Sequence, residues 1–152
     1  MIQSLNKKIS REKLYLRASD AELKLAELVL VEANEKTEQA LYSLKTAEQE
    51  NQEALDNANT YLSMNNLCPA RMSNLHKEIE KKSTFVEQCR TEYESSVDAS
   101  EKAMTEFMNK KAQSTTFQQR VTLARRKKWL VINKAEDSQA IELHTIRTRS
   151  EK

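Results

Sequence analysis

The chain has no glycine and a single proline across 152 residues. Glycine supplies the left-handed backbone positions of most turns and helix ends, and proline marks where a helix cannot continue. A chain with so little of either has almost nowhere to fold back. Pro69 sits near the middle, closely preceded by Asn65 and Asn66. The simplest architecture is all-α: two long helices forming an antiparallel coiled-coil hairpin. The sequence predicts helix 1 over about 2–63, a turn over about 64–69 and helix 2 over about 70–148, all in one coiled-coil domain.

Composition agrees with that reading only because the chain is periodic. Charged residues make up 32% and apolar residues 38%, a balance that taken alone is also compatible with disorder. The periodicity argues against it. Stepping forward from Ile2 by alternating threes and fours meets Leu5, Ile9, Glu12, Leu16, Ser19, Leu23 and Ala26, and continues without a slip to Ala58 and Tyr61. This is a heptad seam. Leucine alternates with alanine from Leu23 to Ala47, and small alanines let a partner backbone come close. Polar breaks at Glu12, Ser19, Thr37 and Asn51 lower stability and help fix register. After Pro69 a second seam runs from Met72 and Leu75 through Val86, Cys89, Phe107 and Phe117 to Val131 and Ala135. Phe107 and Phe117 are expected opposite small residues of helix 1. Pairing Tyr61 with Met72 places Ile2 near Val131, so the chain beyond about Ala135 is expected to overhang without a partner. Pro69 suits the first turn of helix 2, where its missing N–H goes unmissed.

Net charge is +2, but its distribution is uneven. Lys7, Lys8, Arg11, Lys13 and Arg17 face only Glu12 in the first seventeen residues. Residues 18–64 are acidic. Arg120, Arg125, Arg126, Lys127, Lys128 and Lys134 then fall in a stretch with no acid. Antiparallel pairing brings both basic segments to one pole. Like charges crowded there repel, which is more reasonable if an acidic partner receives them; a solvated coiled-coil end is the plain alternative, and nucleic acid is the weaker one. Trp129, the only tryptophan, lies just off the seam. It either packs against Ile2 and Leu5 or anchors another protein. The turn region is unusually apolar, with Tyr61, Leu62, Met64, Leu67, Met72, Leu75 and Ile79. These residues cap the seam end or form a binding tip, for which methionine is well suited.

The chemistry of catalysis is missing from the pattern. Cys68 and Cys89 lack zinc spacing, and His76 and His144 are isolated from further metal ligands. No nucleophile with its base, paired carboxylates or phosphate-cradling loop can be assembled. The sequence is read as non-enzymatic, needing no cofactor, metal or small-molecule substrate. No signal-peptide pattern is found, and the run from Leu28 to Val31 is far shorter than the roughly 20 apolar residues of a membrane span. A cytoplasmic monomer is expected, with a generic coiled-coil scaffold or tether as the competing function.

The layout resembles a known family. A Met-Ile start leads into Lys7-Lys8-Ile9-Ser10-Arg11-Glu12-Lys13, then a long acidic, alanine-rich helix and a break at Cys68-Pro69. The second helix carries Arg125-Arg126-Lys127-Lys128-Trp129 before Ala135-Glu136-Asp137, and a charged tail ends in Arg147-Thr148-Arg149. The pattern is similar to the YscO/SctO stalk proteins of type III secretion systems, related to flagellar FliJ. The resemblance spans the whole chain. It implies a cytoplasmic stalk, peripheral to the inner-membrane export apparatus, that couples the secretion ATPase hexamer to the export-gate membrane protein and engages secretion chaperones. Carried over, Lys7, Lys8, Arg11, Arg120, Arg125, Arg126, Lys127, Lys128 and Trp129 would meet the ATPase ring. Tyr61, Leu62, Met64, Leu67, Met72, Leu75 and Ile79 would meet the gate.

Overall fold

A computed structural model describes residues 1–150. It contains two α-helices, α1 (Ile2–Leu62) and α2 (Pro69–Ser150), which pack against each other as an all-α hairpin. The expected boundaries hold to within one or two residues. The chain divides into two compact units, Met1–Ala26 with Phe107–Lys152 and Glu27–Glu106.

The unit formed by Glu27–Glu106 contains the turn. Its core is thin, as a single seam must be: Leu44, Ala47, Val86 and Cys89 cluster, with Tyr93 packed against them. Polar residues tie the two helices together around this core. Thr37 donates its hydroxyl hydrogen both to the Ala33 carbonyl of its own helix, at 2.9 Å, and to the Ser96 carbonyl of α2, at 3.0 Å. Ser100 donates to the Asn34 side-chain oxygen at 2.5 Å, and Ser83 to that of Asn51 at 3.3 Å. Each pair lies in the register that sets Tyr61 against Met72. Hydrogen bonds are directional, so this ladder penalises a slip more sharply than alanine packing does.

The turn over residues 63–68 manages without glycine. No described residue has a positive φ, so α1 does not end in a left-handed cap. Its last carbonyls are served from within. The Ser63 amide donates to Asn59 at 3.2 Å, the Met64 amide to Tyr61 at 3.1 Å, and the Ser63 hydroxyl to Thr60 at 2.7 Å. The tightened i→i−3 bond satisfies a carbonyl that would otherwise lack a partner. On the far side Cys68 starts α2, its carbonyl accepting from the Met72 amide at 3.0 Å. Pro69 is the first helical residue, where its fixed φ is already helical.

In the unit formed by Met1–Ala26 and Phe107–Lys152 the helices again run antiparallel. Lys110 pairs with Glu22 at 3.0 Å, Ser114 donates to the Asp20 carboxylate at 2.6 Å, and the rings of Tyr15 and Phe117 lie 6.0 Å apart. Ile9, Ser19, Ala26, Val121 and Ala124 are buried along the seam. Phe117 lines a groove together with the small residues Ala18 and Ser19, and its ring partner is Tyr15, which stands off the seam. The residues from Lys134 to Ser150 are exposed throughout and helical, as expected for an overhang. Arg147 and Arg149 in the last turn of α2 suit the negative end of its dipole.

Candidate partner-binding surfaces

Both basic segments belong to the same unit. Continuing the antiparallel register from Tyr15 and Phe117 runs Arg11, Lys8 and Lys7 toward the stretch from Arg120 to Lys127. Lys7, Lys8, Arg11, Arg120, Arg125, Arg126 and Lys127 are exposed, and Lys128, a seam residue, is half-buried. Among the described residues none of these eight takes part in an ion pair; the pairs are Glu32–Lys36, Glu78–Lys82, Glu48–Arg90, Glu87–Arg90 and Glu22–Lys110. Arg120 is placed by a ring instead, its guanidinium 5.3 Å from the Phe117 centroid, a cation–π contact.

Trp129 is 60% exposed, with Leu130 and Leu123 similarly open. The ring is therefore not buried against the start of α1. A large apolar ring beside a run of unpaired cations has the composition of an interface anchor.

The tip separates into two roles. Tyr61 is buried. Its hydroxyl accepts a hydrogen bond from the Cys68 amide at 2.6 Å, and the Arg71 guanidinium sits 5.0 Å over its ring. It braces the turn from inside. Leu62, Met64, Leu67 and Met72 are exposed, and Leu75 and Ile79 are half-buried. The exposed four form an apolar surface at the turn, not a closed cap over the seam.

Other candidate chemistry is sparse. His76 and His144 are exposed, and no cluster of three or more potential metal ligands occurs among the described residues. Cys68 and Cys89 are free thiols, the first exposed and the second buried. No described helix is long and apolar enough to cross a membrane. Sequence reasoning overlooked one surface: Leu14 and Leu25, both exposed, lie on the side of α1 turned away from the seam. The signal was present as a second heptad line, hidden because it shares its period with the first.

No protein-family model, curated protein or solved structure matches the chain.

Proposed function

We propose that the protein is a cytoplasmic stalk of a type III secretion system, peripheral to the export apparatus, coupling the secretion ATPase ring to the export gate and engaging secretion chaperones. The observation that carries this reading is the basic pole of Lys7, Lys8, Arg11, Arg120, Arg125, Arg126 and Lys127, exposed and without ion-pair partners among the described residues. Clustered cations on a two-helix support invite an acidic partner, and none of them is held in an ion pair among the described residues. Trp129 and Leu130 add apolar contact at the same pole, and the YscO/SctO-like layout names the ring as the partner. Leu62, Met64, Leu67 and Met72 then serve as the gate-facing surface. In this role the protein hydrolyses nothing; it biases its partners by binding them.

The test is binding to the purified secretion ATPase. Arg126→Glu with Lys127→Glu is expected to abolish binding while circular dichroism shows unchanged helicity. Binding by the wild type is expected to weaken with salt, because exposed charges are screened beyond about 10 Å at 0.1 M ionic strength. A charge-reversed protein that still binds the ring and supports export overturns the reading.

A further inference from the structure

Leu14, Ala18, Ala21 and Leu25 follow one another on α1 in steps of four, three and four, the spacing that keeps side chains on one helix face. All four are exposed, Leu14 at 63% and Leu25 at 64%. The seam residues of the same turns, Leu16, Ser19, Leu23 and Ala26, are half-buried or buried. This stretch of α1 therefore carries two apolar lines of equal period, and α2 covers one. Single exposed leucines are ordinary. Four apolar residues in register make a continuous line that α2 leaves uncovered. The central alanines allow close approach, and a leucine stands at each end.

A separate groove lies between α1 and α2 in the same unit. It is lined on one side by Tyr15, Ala18 and Glu22 and on the other by Thr116, Phe117 and Arg120. The Tyr15 and Phe117 rings, with Arg120 over the second, give it an aromatic wall with a cationic rim. This groove lies at the α1–α2 junction and shares only Ala18 with the line, so it is no part of the Leu14–Leu25 face.

Charge decides what kind of helix fits. Toward the N-terminus the same line continues through Arg11 and Lys7, and Lys8, Arg17 and Lys24 stand beside it. Glu22 is the acid among the flanking positions, and Lys110 already holds it at 3.0 Å. A second copy of this chain laid antiparallel would set Arg17 near Lys24 of its twin. Laid parallel, it would stack the basic start of α1 on its duplicate. Like charges flanking a coiled-coil core disfavour pairing. We infer that the Leu14–Leu25 face of α1 docks an amphipathic helix of a partner protein, apolar on one face and lined with Glu or Asp along its edges, packed against α1 on the side away from α2.

Two synthetic helical peptides test this on the full-length protein. Both carry leucine at the heptad core positions; one has Glu at the flanking positions and the other Lys. Fluorescence anisotropy is expected to show the Glu peptide binding, more weakly as salt rises, and the Lys peptide binding at least about tenfold more weakly. Leu14→Gln with Leu25→Gln, and separately Arg17→Glu with Lys24→Glu, are each expected to weaken the Glu peptide by at least about tenfold, with helicity retained. Equal binding of the two peptides, no binding of either, or indifference to the Leu14 and Leu25 changes overturns the inference. So does self-association in sedimentation that Leu14→Gln with Leu25→Gln abolishes, since the occupant is then a second copy. No ATPase enters the assay, so its failure is distinct from failure of the stalk reading.

Discussion

The Tyr61 hydroxyl, at the end of α1, accepts a hydrogen bond from the backbone amide of Cys68, 2.6 Å away across the turn. One side chain thus closes a turn that has no glycine to shape it. Its ring fills the last layer of the seam, and its oxygen satisfies an amide just before Pro69 starts the second helix. Removing only the hydroxyl isolates the polar part of this role. Tyr61→Phe is expected to lower the unfolding free energy by about 1–2 kcal/mol, because the Cys68 amide loses its partner. Urea denaturation followed by circular dichroism reads the change, and native helicity should be retained.

Asp20 and Ser114 make a second linkage between the helices, with the buried Ser114 hydroxyl donating to the carboxylate at 2.6 Å. The bond is charge-assisted and short. Asp20→Ala is expected to lose about 1.5–3 kcal/mol, since it strands a buried hydroxyl. Adding Ser114→Ala should recover much of that loss. A double-mutant cycle on denaturation midpoints measures the coupling, and strictly additive losses would show that the pair does not interact.

The opposite behaviour is expected at Glu12 and Ser19. Glu12 stands on the seam with one carboxylate oxygen buried and without a hydrogen-bond partner, and the buried Ser19 hydroxyl is likewise unpaired. Polar groups withdrawn from water without a partner destabilise. Glu12→Leu restores an apolar core position and is expected to raise stability by about 1–3 kcal/mol. Ser19→Ala is expected to raise it by a smaller amount. A fall in thermal midpoint for Glu12→Leu would mean that the carboxylate has a stabilising contact through water or a neighbouring cation.

The heptad count starting at Ile2 made the fold legible because a long pair of helices needs only one continuous pattern. Ile9, Ala26, Leu44, Ala47, Ala54 and Tyr61 from α1, and Val86, Cys89, Ala103, Val121 and Ala124 from α2, are all buried where that count puts them. At the ends Ile2, Met72 and Ala135 stay exposed, since a terminal layer has neighbours on one side only. The surfaces were harder to read. The count buries Tyr61, but the hydrogen bond its hydroxyl accepts from the Cys68 amide depends on the path of the turn. Leu14 and Leu25 escaped notice because a count that follows one line says nothing of a second at the same period. Phe117 met Tyr15, off the seam, because long aromatic rings reach past the facing position to its neighbour.

The two thiols should behave differently. Cys68 is exposed at the start of α2, whereas Cys89 is buried against Leu44, Ala47 and Val86. A thiol reagent is expected to modify Cys68 promptly in the native protein, and Cys89 only as fast as the helices open locally. Mass spectrometry of the modified peptides distinguishes them. Comparable rates would place Cys89 in a frequently opening segment. Cys89→Ala should cost about 1 kcal/mol or more through the cavity it leaves.

Trp129 provides an intrinsic reporter for the basic pole. It is the only tryptophan in the chain and is more than half exposed, so its fluorescence should resemble that of a solvated indole and be quenched readily by a neutral quencher. Trp129→Ala is expected to change stability by no more than about 0.5 kcal/mol, as at exposed sites away from special contacts. A partner that binds the pole through this ring would desolvate it, shifting emission to shorter wavelength and protecting it from the quencher. Binding should also suffer in Trp129→Ala by about 2 kcal/mol, the scale of an aromatic hot spot. A partner that engages Arg126 and Lys127 while leaving the Trp129 emission unmoved would confine the interface to the cations, and Trp129→Ala would then bind as well as the wild type.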